Sequence, residues 1–130
     1  MEEKRGLVSD FLKGWAMAQH AGVIDTLITV SACRVGVPEQ FENLDVGKKL
    51  INGSVYERQL RRTKLFGELQ PDVWAAIQGP YVKQKEISKE IDPSTFLDSS
   101  FIEAANDFTT ADVKRVMYKW AEENPDKLVN

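Results

Sequence analysis

Apolar positions along this chain recur at three- and four-residue intervals and almost never at alternate ones, so helices are expected throughout. The clearest run is FTTADVKRVMYKWAEENPDKL, residues 108–128. Val113, Val116, Met117 and Trp120 fall there at i, i+3, i+4 and i+7 and share one helical face. Thr109 is a capping residue. Asp112 stands where a capping box usually carries Glu or Gln, so the box is expected to be imperfect. Asn124-Pro125 ends the helix, because the residue before a proline avoids the α region. Core burial accounts for the apolar stripe. Lys114, Arg115 and Tyr118 are left on the other side as candidate partner-binding residues.

Upstream, Ser9 is predicted to cap a helix in which Phe11, Leu12, Trp15, Ala18, Ile24, Leu27 and Ile28 keep helical spacing to about residue 33. Gly14 and Gly22 each cost about 1 kcal/mol against Ala in a helix interior, which points to close packing or a bend. The β-branched stretch ITVSACRV leaves a strand as the alternative for residues 24–35. PEQFENL and DVGKKLI predict two short helices, the second ending in a left-handed cap at Asn52-Gly53. Ser54 and Glu57 have capping-box spacing and predict a new charged helix, VYERQLRRTKLF, stopping at Gly67.

Pro71 suits the first position of another helix, PDVWAAIQ, which Gly79-Pro80 should end. Residues 81–91 read as a helix or an ordered loop. Asp92-Pro93 starts a short helix through Phe96 and Leu97. The sum is an all-α chain, a single compact domain over residues 1–130 with five to seven helices of unequal length.

Composition narrows the function classes. The length of 130 residues suffices for a core without disulfides or metal. Hydrophobic residues make up 42% and charged residues 28%, as in soluble globular proteins, and the net charge of −3 disfavours generic binding to nucleic acid or anionic membranes. No apolar run reaches the roughly 18 residues of a membrane span. One cysteine excludes an internal disulfide, and one histidine disfavours a zinc site. Calcium-loop and phosphate-loop spacings are absent, so no cofactor or metal is expected. The first residues lack a signal-type apolar core. The cytoplasm is therefore the default compartment, and the periplasm the alternative if a signal was removed.

Few residues suggest chemistry. His20 and Asp25 could form an acid–base pair, yet five residues on a helix put them on different faces. Cys33 beside Arg34 could be an activated thiol, although a lone Cys among apolar neighbours is usually a small hydrophobe. The run ERQLRRTK places Arg58, Arg61, Arg62 and Lys64 close together. That patch could grip an acidic protein, or phosphates in a nucleic-acid-associated regulator. Glu86, Glu90, Asp92, Glu122, Glu123 and Asp126 read as solvated faces. Trp15, Trp74 and Trp120 are expected in the core, though any of them could anchor an interface. Poor catalytic candidates and several aromatic and arginine anchors favour a non-catalytic protein binder. The alternatives are a nucleic-acid-associated regulator and an enzyme using His20 or Cys33. A homo-oligomer is left open.

Two segments carry a family resemblance. AGVIDTL, through Gly22, Val23 and Asp25, and the final helix with its turn, through Thr109, Val113, Val116, Trp120, Glu123, Pro125 and Leu128, resemble small helical immunity proteins that bacteria use against type VI secretion amidase effectors. The family's paired cysteines are not repeated here, where Cys33 stands alone. The resemblance implies a periplasmic, non-enzymatic inhibitor that acts as a dimer and occludes a toxin's active site.

Overall fold

The computed structural model describes residues 4–60 and 63–129, the side chains of 56–60 excepted. Seven α-helices run α1 (Arg5–Ile24), α2 (Thr26–Gly36), α3 (Pro38–Phe41), α4 (Leu44–Leu60), α5 (Pro71–Lys83), α6 (Ile102–Ala105) and α7 (Thr110–Glu123). Single 3-10 turns occupy Pro93–Thr95 and Pro125–Lys127. No strand occurs among the described residues, so the chain is all-α with helices of unequal length.

The first helix starts earlier than Ser9. It begins at Arg5 with no side-chain cap, because Leu7 and Val8 extend the stripe of Phe11 and Trp15 by another turn. It is also not continuous to residue 33. Asp25 takes an extended conformation and divides it. Its backbone N–H still donates to the Ala21 carbonyl, closing α1, while its carboxylate accepts the Ile28 N–H at 3.0 Å and caps α2. The strand alternative fails over residues 26–36. There the Thr29 and Ser31 hydroxyls donate at 2.8 Å to the carbonyls of Asp25 and Leu27, four residues back, and so serve the helix.

The expected break at Asn52-Gly53 does not occur. α4 runs through it, capped instead by Asn43, whose Oδ1 accepts the N–H groups of Asp45 and Val46 at 3.0 and 3.2 Å. Asn52 and Ser54 serve tertiary contacts. The Thr26 hydroxyl donates to Asn52 Oδ1 at 3.2 Å, and the Ser54 hydroxyl donates to Gln19 Oε1 at 3.0 Å. Both bonds hold α4 against α1 and α2, and these outweigh a local preference for a cap.

α2 lies at the centre, packed against α1, α3, α4 and α7. Val30 and Ser31 are fully buried there. Ser31 is satisfied twice, since its hydroxyl also accepts the Val129 N–H at 3.0 Å and draws the end of the chain onto α2. The crossing of α2, α3 and α4 is tight at Gly47. A Cβ at that position would lie 2.9 Å from the Phe41 ring and 3.1 Å from Val30 Cγ1. Gly22 permits a similar approach, with Ile51 Cγ2 3.1 Å from its missing Cβ.

α5 behaves differently from the other long helices. It continues through Gly79-Pro80 to Lys83 instead of ending there. The residue before a proline resists the helical conformation largely through its own Cβ, which glycine lacks. The helix ends at Lys83, two residues before Lys85 turns left-handed with φ of 60°, and residues 84–92 form a loop. Buried Gln78 organises that loop. Its Oε1 accepts the Ile91 N–H at 2.7 Å and its Nε2 donates to the Ile91 carbonyl at 2.8 Å. Trp74 meets Phe96 edge-on at 6.2 Å. Among the described elements, α5 packs against the Pro93–Thr95 turn alone. Residues 71–97 therefore form an arm.

The arm leaves and rejoins the bundle at neighbouring points. Asn106, after α6, accepts the Phe66 N–H at 2.8 Å and donates to the Phe66 carbonyl at 3.0 Å. Gly67, with φ of +73°, turns the chain beside Ile102. The capping box of α7 is complete, not imperfect. Thr109 Oγ1 accepts the Asp112 N–H at 3.2 Å, and Asp112 Oδ2 accepts the Thr109 N–H at 2.9 Å, because Asp reaches the same amide that Glu would.

Two glycines on α4 should respond in opposite directions. Gly47→Ala overpacks the crossing and is expected to destabilise by about 1–3 kcal/mol. Gly53→Ala meets open space inside the helix and should stabilise by up to about 1 kcal/mol. Denaturant titration checks both. The hydrogen bonds to Thr109, assisted by Arg115, hold the Asp112 carboxyl below its ordinary value of 3.8. The stability that Asp112 contributes is thus complete above that value and is lost as pH falls through the lower folded one. Asp112→Asn should flatten this part of the acid-denaturation curve.

Candidate functional site

Between α1, α2 and α7 the bundle leaves a groove of about 410 Å³. Its floor is made by small residues, Gly14, Ala18 and Ala21 of α1 and Ala32 of α2. Gly14, Ala18 and Ala21 recur at i, i+4 and i+7, which places them on one side of α1. Met17, Ile28 and Cys33 form one part of the wall, and Val113, Val116, Met117 and Trp120 the other. Thr29 is the one hydroxyl-bearing residue of the lining, and its hydroxyl is committed to the Asp25 carbonyl. The groove is therefore a mainly apolar surface whose one hydroxyl is already satisfied.

This changes the meaning of the α7 stripe. Val113 and Met117 are buried as core residues, but Val116 is 56% exposed and Trp120 is half-buried at the groove wall. The stripe belongs partly to the core and partly to an open surface. Gly14 and the small residues around it were readable in the sequence only as a possible close approach. Their shared face with the far-off α7 stripe needed the fold.

Lys114, Arg115 and Tyr118 are exposed on the side of α7 away from the groove, where Arg115 bonds Asp112 at 2.8 Å. The side chain of Arg58 and all of Arg61 and Arg62 lie outside the described residues.

The catalytic candidates are not brought together. His20 Nε2 lies 3.2 Å from the Thr110 hydroxyl, and its ring meets Phe108 edge-on at 6.0 Å, so it joins α1 to the start of α7. Asp25 caps α2 and does not bond His20. Cys33 is half-buried in the groove wall, and burial pushes its thiol up from the ordinary value of 9.0. Arg34 does not lower it. Among the described residues, no three His, Cys, Asp or Glu side chains converge as metal ligands.

The tryptophans divide. Trp120 lines the groove, but Trp15 and Trp74 are not core residues, being about half exposed. Trp15 meets Phe11 edge-on at 5.8 Å and Phe66 at a tilt at 6.3 Å.

At neutral pH the protonated, half-buried Cys33 should react with a maleimide or an aromatic disulfide several-fold more slowly than a free cysteine. Rates equal to or above that of the free thiol would contradict this environment. Comparison with family models, with curated proteins and with solved structures finds no match to this chain, so its function has to be argued from the groove and the surfaces around it.

Proposed function

We propose that this chain is a non-catalytic protein-binding module whose groove between α1, α2 and α7 receives an apolar helix of a protein partner. The observation that carries the reading is the groove itself, which is apolar along its length and open to solvent. Its small-residue floor lets a helix backbone come close, and Val116 and Trp120 supply exposed apolar contacts at one wall. An amphipathic helix laid in such a groove buries its anchors at i, i+3, i+4 and i+7 against pockets of this kind. An aromatic such as Trp120 near the centre is a typical hot spot. The most specific form of this function is an inhibitor or immunity protein that blocks the partner's active site. The immunity-protein resemblance of the AGVIDTL segment and of the α7 region supports that form.

The test is capture from the native host, with identification by mass spectrometry. The chain should recover a reproducible protein partner. Ala18→Arg, which places a long charged side chain on the groove floor, should reduce that recovery at least tenfold while circular dichroism stays unchanged. Equal capture by both chains would remove the groove from the account, and no reproducible partner for either would count against the binding role. For the inhibitor form, adding the chain should suppress the enzymatic activity of the captured partner.

A further inference from the structure

A second cavity, of about 350 Å³, lies between the last turns of α2 and the segment that follows α7. Ser31, Arg34 and Val35 form its helix wall, and residues 126–129 the other. On α2 this wall is turned by about 140° from the groove residues Ile28, Thr29, Ala32 and Cys33, and the two cavities share no residue. The bond from the Val129 N–H to Ser31 Oγ at 3.0 Å ties the two walls together.

The charges of this cavity are left open. Arg34 on one wall and Asp126 on the other carry opposite charge, yet they form no ion pair. Neither side chain has a salt-bridge or hydrogen-bond partner among the described residues. The remaining polar side chains are committed. Lys127 Nζ donates to Asn124 Oδ1 at 3.0 Å, and the Ser31 hydroxyl serves the Leu27 carbonyl and the Val129 amide. The apolar part of the lining is Val35 and Leu128, 54% and 37% exposed.

From this arrangement we propose that the cavity binds a small zwitterion of the α-amino-acid type with an apolar side chain. The ligand carboxylate pairs with the Arg34 guanidinium, whose planar fork matches two carboxylate oxygens. The ligand ammonium pairs with the Asp126 carboxylate. The apolar side chain lies against Val35 and Leu128 and removes their surface from water. The bound molecule bridges α2 and the segment after α7, and so adds a clamp beside the Ser31–Val129 bond.

The charge pattern selects a zwitterion over simpler ions. A plain anion at Arg34 faces the Asp126 carboxylate in the same cavity, and a plain cation at Asp126 faces Arg34. The cavity also lies beside the C-terminal turn of α2, whose partial negative charge disfavours a lone anion. A molecule carrying both charges satisfies each wall without repulsion from the other. The size agrees, since ligand cavities start at about 300 Å³ and this one suits only a small molecule. Arg34 and Asp126 are exposed, so each pair is worth little alone and binding in the millimolar range is expected.

The test follows backbone amide NMR shifts while L-leucine, L-methionine and L-phenylalanine are added in turn. At least one should produce saturable shifts at Arg34, Val35, Asp126 and Leu128, with none at Gly14 or Ala18 of the groove. Isocaproate and isoamylamine, which are leucine without its ammonium or its carboxylate, should bind at least tenfold more weakly than leucine. Arg34→Gln and Asp126→Asn should each weaken binding of the amino acid at least tenfold, and Lys127→Gln should leave it within twofold. The denaturation midpoint should rise with amino-acid concentration in the parent chain and not in the Arg34 variant. No saturable shift with any of the three amino acids overturns the proposal. Isocaproate or inorganic phosphate binding as tightly as the amino acid overturns it too, because the site is then one for anions in general. An equal loss in Lys127→Gln has the same force. Without ligand, Arg34→Gln and Asp126→Asn should keep the parent midpoint. A fall would show that residue already paired within the chain and would likewise overturn the proposal.

Discussion

The close crossing of α2 and α4 is the constraint on which the bundle depends, and it exists because position 47 carries no side chain. Phe41 and Val30 occupy the space a Cβ would need, so α3 and α4 close on α2 from one side. Gly22 lets α4 approach α1 in the same manner. With α2 held, its buried Ser31 can receive the Val129 amide, and α7 with its following turn is drawn onto the same helix. The large side chains then have few places to go inside. Core positions are taken mainly by Ala, Val and Met, with Phe41 the one buried aromatic among the described residues, and several bulky residues remain at the surface.

That distribution gives the molecule two kinds of apolar surface with different physical character. The groove is concave and floored by small residues, which suits a helix entering from outside. The large exposed side chains of α1 and α5, such as Phe11 and Ile77, stand on convex helix surfaces. The cationic side of α7 carries Lys114 and Arg115 away from both, with Arg115 already engaged by Asp112. No described helix is long and apolar enough to cross a membrane.

Much of the fold was legible where local and tertiary preferences agree. The helical character of nearly every segment, the first position of α5 at Pro71, and the cap and proline stop of α7 follow from spacing and termini alone. Legibility failed where a turn-forming residue had a better use. Asn52 and Ser54 look like a helix boundary, but they bond Thr26 and Gln19 on other helices. Gly79-Pro80 looks like a stop, but the glycine lacks the Cβ that would clash with the proline ring in the helical conformation. The sequence offers Asp25 only as a weak acid–base candidate on a different face from His20, and its capping role appears only when the chain is seen to bend there. The groove could not be read in advance, because its floor and its far wall are about ninety residues apart in sequence.

The paired hydrogen bonds between Asn106 and the Phe66 backbone have a consequence for how the chain can change. They fix the two ends of the excursion independently of what lies between. Closing a flexible loop costs free energy that rises only with the logarithm of its length, so doubling the number of residues between fixed ends adds about 0.6 kcal/mol. The bundle is thereby insulated from lengthening or shortening of the 71–97 segment, provided Phe66 and Asn106 keep their bonds. Such a segment can drift in sequence and size while the groove stays intact, so the arm is the part of this fold with the greatest freedom to diverge.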